Sequence, residues 1–186
     1  MTKAAKLLIF LGFALLALSL GMLLLLHFGN TKAQEDAGAL LQQLDALLPP
    51  STPGVPDTYR VPDMPTLEVG GRDVVAIVEI PAYGLRLPVL GSWEAGSAQG
   101  IPRRFSGSAY SGDLIIGGSA AQFACFTQIP VGTEVTVTDM TGAVFSYTVT
   151  RIGRSTSADA ATLSGSKLTL FARQTRSLEY ILLRCN

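Results

Sequence analysis

Residues 7–28 form a run of 22 without a formally charged side chain, eleven of them leucine, with Ser19 and His27 as the notably polar members. A stretch this apolar must satisfy its own backbone hydrogen bonds, and a helix is the single-segment way to do so. At 1.5 Å rise per residue that helix matches the roughly 30 Å hydrocarbon core of a bilayer. Lys3 and Lys6 precede the run. The positive-inside bias therefore keeps the short N-terminus in the cytoplasm and sends everything after Asn30 outside. A cleaved signal peptide is the rival reading, since Thr31-Lys32-Ala33 offers a passable cleavage site. Its apolar region would ordinarily be only ~7–15 residues, so a retained signal anchor is the reading adopted. His27, the sole histidine, falls at the expected membrane boundary.

Three segments follow from pattern: residues 1–30 as cytoplasmic tip and anchor, 31–71 as stalk and linker, and 72–186 as the globular domain. Leu40, Leu41, Leu44, Leu47 and Leu48 recur at helical spacing, with Gln42, Gln43 and Asp45 between them. This predicts a short amphipathic stalk helix over 31–48, its leucine face solvated, packed on the domain or set against another surface. Pro49-Pro50 stops it, and six prolines between 49 and 65 keep the chain extended as a spacer. From Arg72 the pattern changes to short apolar runs rich in β-branched residues, separated by Gly, Pro, Asp and Ser. Strands are expected at 73–80, 85–90, 114–116, 134–139, 144–151, 167–172 and 179–184. Thr141-Gly142 marks a hairpin, and a helical turn is expected near 122–126. Seven or eight strands in 115 residues suggest a closed or nearly closed barrel, so the fold class is all-β behind an N-terminal transmembrane helix.

Composition excludes several functions. Formal charge is zero overall, and residues 72–186 carry ten Lys/Arg against eight Asp/Glu. Nucleic acid is not an expected partner, because it calls for a concentrated basic face. No CxxC or HxxxH spacing occurs, so neither a metal nor another cofactor is expected. Cys125 and Cys185 lie in the exported part, where a disulfide is permitted, two free buried thiols being the plainer reading. Trp93 and Tyr83 read as core or rim aromatics, and Arg103-Arg104 as a solvated charge pair.

Several stretches resemble sortases, the membrane-anchored cysteine transpeptidases of Gram-positive surfaces. Val75-Ala76-Ile77-Val78-Glu79-Ile80-Pro81 and Leu85-Arg86-Leu87-Pro88-Val89-Leu90 are similar to the opening strands of that family. The segment from Ser106 to Gly118, ending Asp113-Leu114-Ile115-Ile116-Gly117-Gly118, resembles the one that runs into the family's Ala-Gly-His. Gly132-Thr133-Glu134-Val135 and Leu168-Thr169-Leu170-Phe171-Ala172 are similar to its Gly-Asp-x-Val strand and to the Leu-Thr-Leu-x-Thr before the catalytic Cys. The likeness runs over about 72–186 in one order and implies a sortase-like closed barrel of seven or eight strands with a short helix.

It also implies where a catalytic triad would sit. The family's His position is held by Ser119, its Cys position by Arg173 and its Arg position by Tyr180, with Arg176 and Arg184 as imperfect substitutes. The family's chemistry needs a thiolate to attack, an imidazole to protonate the leaving amine and a guanidinium for the oxyanion. An isolated serine hydroxyl is a poor nucleophile, and arginine is a permanent cation. Cys185 lies five residues along from Tyr180, about 17 Å in a strand, too far to substitute.

The resulting expectation is a catalytically inactive, membrane-anchored extracellular sortase-like protein that binds or regulates in surface-protein anchoring. Its implied partners are the membrane and a sorting-signal peptide, a surface protein or an active sortase. The alternative is a transpeptidase or hydrolase with an altered site. Read from the residues alone, Ser119 is a turn residue, Arg173 a solvated or groove-lining strand-end charge, and Tyr180 a packing or groove-wall aromatic.

Overall fold

A computed structural model describes residues 3–55, 63–93, 100–174 and 179–186, with the side chains at 3–9, 23–31 and 33 left outside that description. The N-terminal helix α1 runs unbroken over Lys3–Leu47 and ends where Pro49-Pro50 withdraws two amide donors. Side chains 10–22 are all exposed, Phe10 at 76% and Leu18 at 73%. Among the described residues no helix is long and apolar enough to cross a membrane. The uncharged run of the sequence extends beyond residues 10–22 at both ends.

Ten strands follow among the described residues: β1 (Thr52–Pro53), β2 (Leu67–Val69), β3 (Arg72–Ile80), β4 (Leu85–Leu90), β5 (Arg103–Ser106), β6 (Leu114–Ser119), β7 (Glu134–Asp139), β8 (Ala143–Ser155), β9 (Leu168–Arg173) and β10 (Tyr180–Cys185). Eight of them close a ring in the order β3-β4-β5-β6-β9-β10-β8-β7 and back to β3. The pairings β4 with β5 and β6 with β9 are parallel, the others in the ring antiparallel, so the barrel is mixed. Closure leaves no free edge in the ring. The expected strands are present, and Thr141-Gly142 turns β7 into β8, Gly142 taking φ of 82°. The helical turn falls at Ala124–Thr127 as a short 3-10 segment.

Period-two alternation divides the side chains. Ala76, Val78 and Ile80 of β3, Leu114 and Ile116 of β6, Leu168, Leu170 and Ala172 of β9, and Ile181, Leu183 and Cys185 of β10 fill the interior. β3 is nevertheless buried at every position from Val74 to Val78, because its outer face is covered too. Val74 and Ile77 meet Ala37, Leu40 and Leu44 of α1, with Leu90, Ile101 and Met140 completing that seam. Leu40 and Leu44 of the stalk's leucine face are therefore packed on the domain, with Leu41 and Leu48 partly buried at the margin and Leu47 exposed. Arg86 fastens the same junction through Asp45 (2.6 Å) and Glu79 (2.8 Å), and Arg72 reaches Asp36 at 3.4 Å.

The Pro-rich stretch differs from a bare spacer. Thr52 N–H donates to the Gly142 carbonyl at 2.8 Å and Gly54 N–H to that of Val144 at 2.7 Å, laying β1 parallel to β8. Met64 is 2% exposed within the main core. Prolines suit β1 because its solvent edge needs no donors. Residues 56–62 of the same stretch lie outside the described residues.

The Arg103-Arg104 pair is likewise not a plain solvated surface. Arg104 has an 18% exposed side chain, pairs with Asp63 at 2.7 Å and donates from Nε to the Gly91 carbonyl, while Arg103 donates to that of Ser92. β5, which these two residues open, is the ring strand the sequence pattern missed.

A row of three strand ends and an adjoining pocket

β6, β9 and β10 are neighbours in the barrel wall, and their registers bring Ser119, Arg173 and Tyr180 into line. Ser119 is the Cα partner of Arg173 across the parallel β6–β9 pair, and Tyr180 is the partner of Arg173 across the antiparallel β9–β10 pair. Cα partners put side chains on one face of a sheet, here the outer face. Of the substitutes considered for Tyr180, Arg176 lies outside the described residues. Arg184, four residues further along β10, donates instead to the Ser164 and Thr162 carbonyls at the end of the short helix α2 (Ala160–Leu163). Those carbonyls have no partner within their helix, so Arg184 caps it and ties it to β10.

Each member of the row sits in a different environment. Ser119 ends β6: its Oγ accepts from the Gln122 N–H at 3.3 Å and lies 3.4 Å from Gln122 Oε1, while its carbonyl accepts from Phe123 N–H at 3.1 Å. These are the bonds of a turn-forming serine. Tyr180 is half-buried and packs edge-on against Phe171, ring centroids 6.1 Å apart. Arg173 is exposed and has no ion pair or hydrogen bond from its guanidinium among the described residues.

The outer face behind the row is filled by the protein's own side chains. Trp93, Phe105 and Phe171 meet at centroid distances of 5.4 to 5.6 Å, and Ile115, Leu163 and Leu182 extend the patch. The double glycine of β6 makes this possible. A Cβ at Gly117 would run into Trp93 and Phe171 outside the barrel, and one at Gly118 into Phe123 inside it. Two side-chain layers thus close on one strand where neither residue can carry a side chain.

On the other side of Arg173 the wall is open. A pocket of about 490 Å³ lies between the turn after β6 and the ends of β9 and β10. Phe123, Phe126, Ala172 and Ile181 form a buried floor, and Ala124, Thr127 and Arg173 an exposed lip. Phe123 and Phe126 stack at 4.3 Å with planes 17° apart, which fixes the floor. A concave apolar site with a few convergent polar groups is the usual form of a ligand pocket. Ser119 and Tyr180 share the row with Arg173 but are not among the residues lining it. Sequence reasoning found Arg173 and missed the pocket; the available signal was the small-residue run Ala120-Ala121 followed by Phe123 and Phe126 at a spacing of three. Gln122, 5% exposed, has an Nε2 without a hydrogen-bond partner among the described residues.

Burial disfavours the thiolate at both cysteines. Both are free; Cys185 faces the core at 0% exposure, where burial pushes its thiol up to about 12. Burial also pushes the half-buried Cys125 up. A raised thiol is the reverse of what nucleophilic attack requires. Among the described residues no group of three His, Cys, Asp or Glu is placed to hold a metal.

The closed eight-stranded mixed barrel is a sortase-like β-barrel. The chain is similar to sortase A from Corynebacterium diphtheriae in a lid-mutant form, at 18% identity and TM-score 0.53 over 61% of this chain and 69% of that one. It is similar to a Clostridium perfringens sortase D5 transpeptidase at 17% identity and TM-score 0.53, over 61% of this chain and 78% of that one. Sortase C1 of GBS pilus island 1 matches at 16% identity and TM-score 0.53, over 64% and 67%. No protein-family model and no curated protein matches the chain. At these identities the likeness establishes the fold.

Proposed function

We propose that this chain is a membrane-anchored, extracellular sortase-like module that binds a client in cell-surface protein anchoring and performs no transpeptidation itself. The observation that carries the reading is the register of Ser119, Arg173 and Tyr180. The positions that the sequence resemblance equates with His, Cys and Arg are neighbours on three adjacent strands, so the equivalence is spatially coherent. What stands there is a turn-bonded hydroxyl, a guanidinium without a partner among the described residues and a packed phenol. None is a nucleophile with a base beside it. The two thiols are held protonated by burial. Binding requires less: an apolar pocket and one cation suffice to hold a peptide.

The clients that fit this reading are a sorting-signal peptide, a surface-protein subunit or an active sortase. Anchoring rests on the uncharged run at 7–28 and on Lys3 and Lys6 before it. Protease added to intact protoplasts then removes the barrel, and recovery of a soluble species beginning near residue 34 would reject the anchor. The activity test is hydrolysis or transfer of a fluorogenic sorting-signal peptide by the purified full chain. The native protein and Arg173→Cys alone are expected to show no turnover, because groups that act as a unit are strongly non-additive. Turnover by the native chain that disappears in Ser119→Ala would refute the binding reading in favour of an altered enzyme.

A further inference from the structure

We infer that the pocket beside Arg173 recognises a free peptide C-terminus whose last side chain is large and apolar, with the carboxylate on the Arg173 guanidinium. The inference rests on the binding reading above and specifies its ligand. Two features converge on it. Phe123, Phe126, Ala172 and Ile181 give a buried apolar floor, and 490 Å³ accommodates one bulky side chain with its terminal group.

Arg173 contributes to the lip of that pocket and is exposed, with no internal anion occupying it among the described residues. A planar guanidinium with its donors free matches a carboxylate in two-point geometry. An apolar recess with a single cation at its edge is complementary to an amphiphilic carboxylate.

The shape favours a peptide end over a long acyl chain. The lip residues Ala124, Thr127 and Arg173 are all exposed, so the site is a bowl and not a tunnel. An added strand is also excluded as the mode of capture: β9 is paired on both sides, by β6 and β10, which leaves no ladder for a client backbone to extend. Recognition has to come from the terminal side chain and the charge.

The test is calorimetric titration of the full chain in nanodiscs of zwitterionic lipid with N-acetyl-Ala-Ala-Phe, its C-terminal amide, and palmitate. The free acid is expected to bind at least about tenfold tighter than the amide, the factor one charge-assisted hydrogen bond carries. Arg173→Gln should erase that difference, and Ala124→Trp, which fills the recess from an exposed position, should abolish binding of both peptides. Unchanged thermal unfolding of both variants shows that they fold. Equal binding of acid and amide, no binding of either, or acid binding that survives Arg173→Gln or Ala124→Trp overturns the inference. Palmitate binding tighter than the peptide with the same Arg173 dependence overturns the peptide as occupant. Turnover of a sorting-signal peptide would sink the proposed function while leaving this result standing; loss of acid-over-amide discrimination would do the converse.

Discussion

Leu44→Ala tests whether the N-terminal helix is a structural part of the barrel. Leu44 is 0% exposed in the seam with Leu40, Val74, Ile77, Leu90 and Met140. Replacing a buried leucine by alanine costs about 2–5 kcal/mol, the upper values belonging to sites that cannot collapse. This seam lies between a helix and the outside of a barrel, and Leu41 and Leu48 at its margin are only partly buried. Some closure by a shift of the helix is available, which places the cost at about 2–3 kcal/mol. For a chain of this size that is a fall in Tm of roughly 5–10 °C. Leu47→Ala is the control: one turn away on the same helix, 58% exposed, it should stay within about 0.5 kcal/mol. The assay is thermal unfolding by near-ultraviolet circular dichroism, with amide exchange at Val74 and Ile77 as a local probe. Equal Tm values for Leu44→Ala and Leu47→Ala would refute the docked helix and leave a solvated stalk. Docking also requires that residues 72–186 alone unfold at lower temperature than residues 34–186, because removal of the helix uncovers Val74, Ile77 and Leu90.

Two further outcomes follow from the polar groups. Asp139 is 0% exposed and accepts from Tyr110 Oη (2.5 Å), Thr141 N–H (2.8 Å), Thr141 Oγ1 (2.7 Å) and Ala143 N–H (2.9 Å), so it shapes the β7–β8 turn and holds the segment before β6. Asp139→Ala strands those donors and should cost about 3 kcal/mol or more by chemical denaturation, whereas a loss below about 1 kcal/mol would contradict the assigned role. Hydrogen bonding to Arg86 lowers the Asp45 carboxyl below its ordinary value. A depressed folded-state value means stabilisation present above about pH 4 and lost as the pH falls through the lowered value. With Asp45 53% exposed, solvent screening keeps the pair within about 0.2–1 kcal/mol. Asp45→Asn should therefore lower stability slightly at neutral pH and flatten the acid limb of the stability curve. An unchanged acid limb would argue against the pair.

What local pattern could carry, the sequence carried. β3 was legible as Val-Val-Ala-Ile-Val, a run without alternation, because both faces of that strand are covered. The β7–β8 hairpin was legible at Thr141-Gly142, where a positive φ is required. The end of β9 was read within one residue of Arg173, whereas β6, read as ending at 116, runs on through Gly117 and Gly118 to Ser119. The register that makes Ser119 and Arg173 partners joins residues more than fifty apart in the chain, and no local periodicity encodes it.

Tertiary structure alone decided the rest. β5 stayed hidden because Arg103 and Arg104 read as solvated charges, and only the Asp63 carboxylate and the Gly91 and Ser92 carbonyls make a strand start there tenable. The stalk leucines state that a face must be covered; that β3 and β4 cover it depends on barrel curvature. The pocket exists because Phe123 and Phe126, three residues apart, stack under a turn that crosses the ends of β9 and β10. Side-chain identity specifies which surfaces must be buried or paired, and long-range strand pairing determines what lies opposite them.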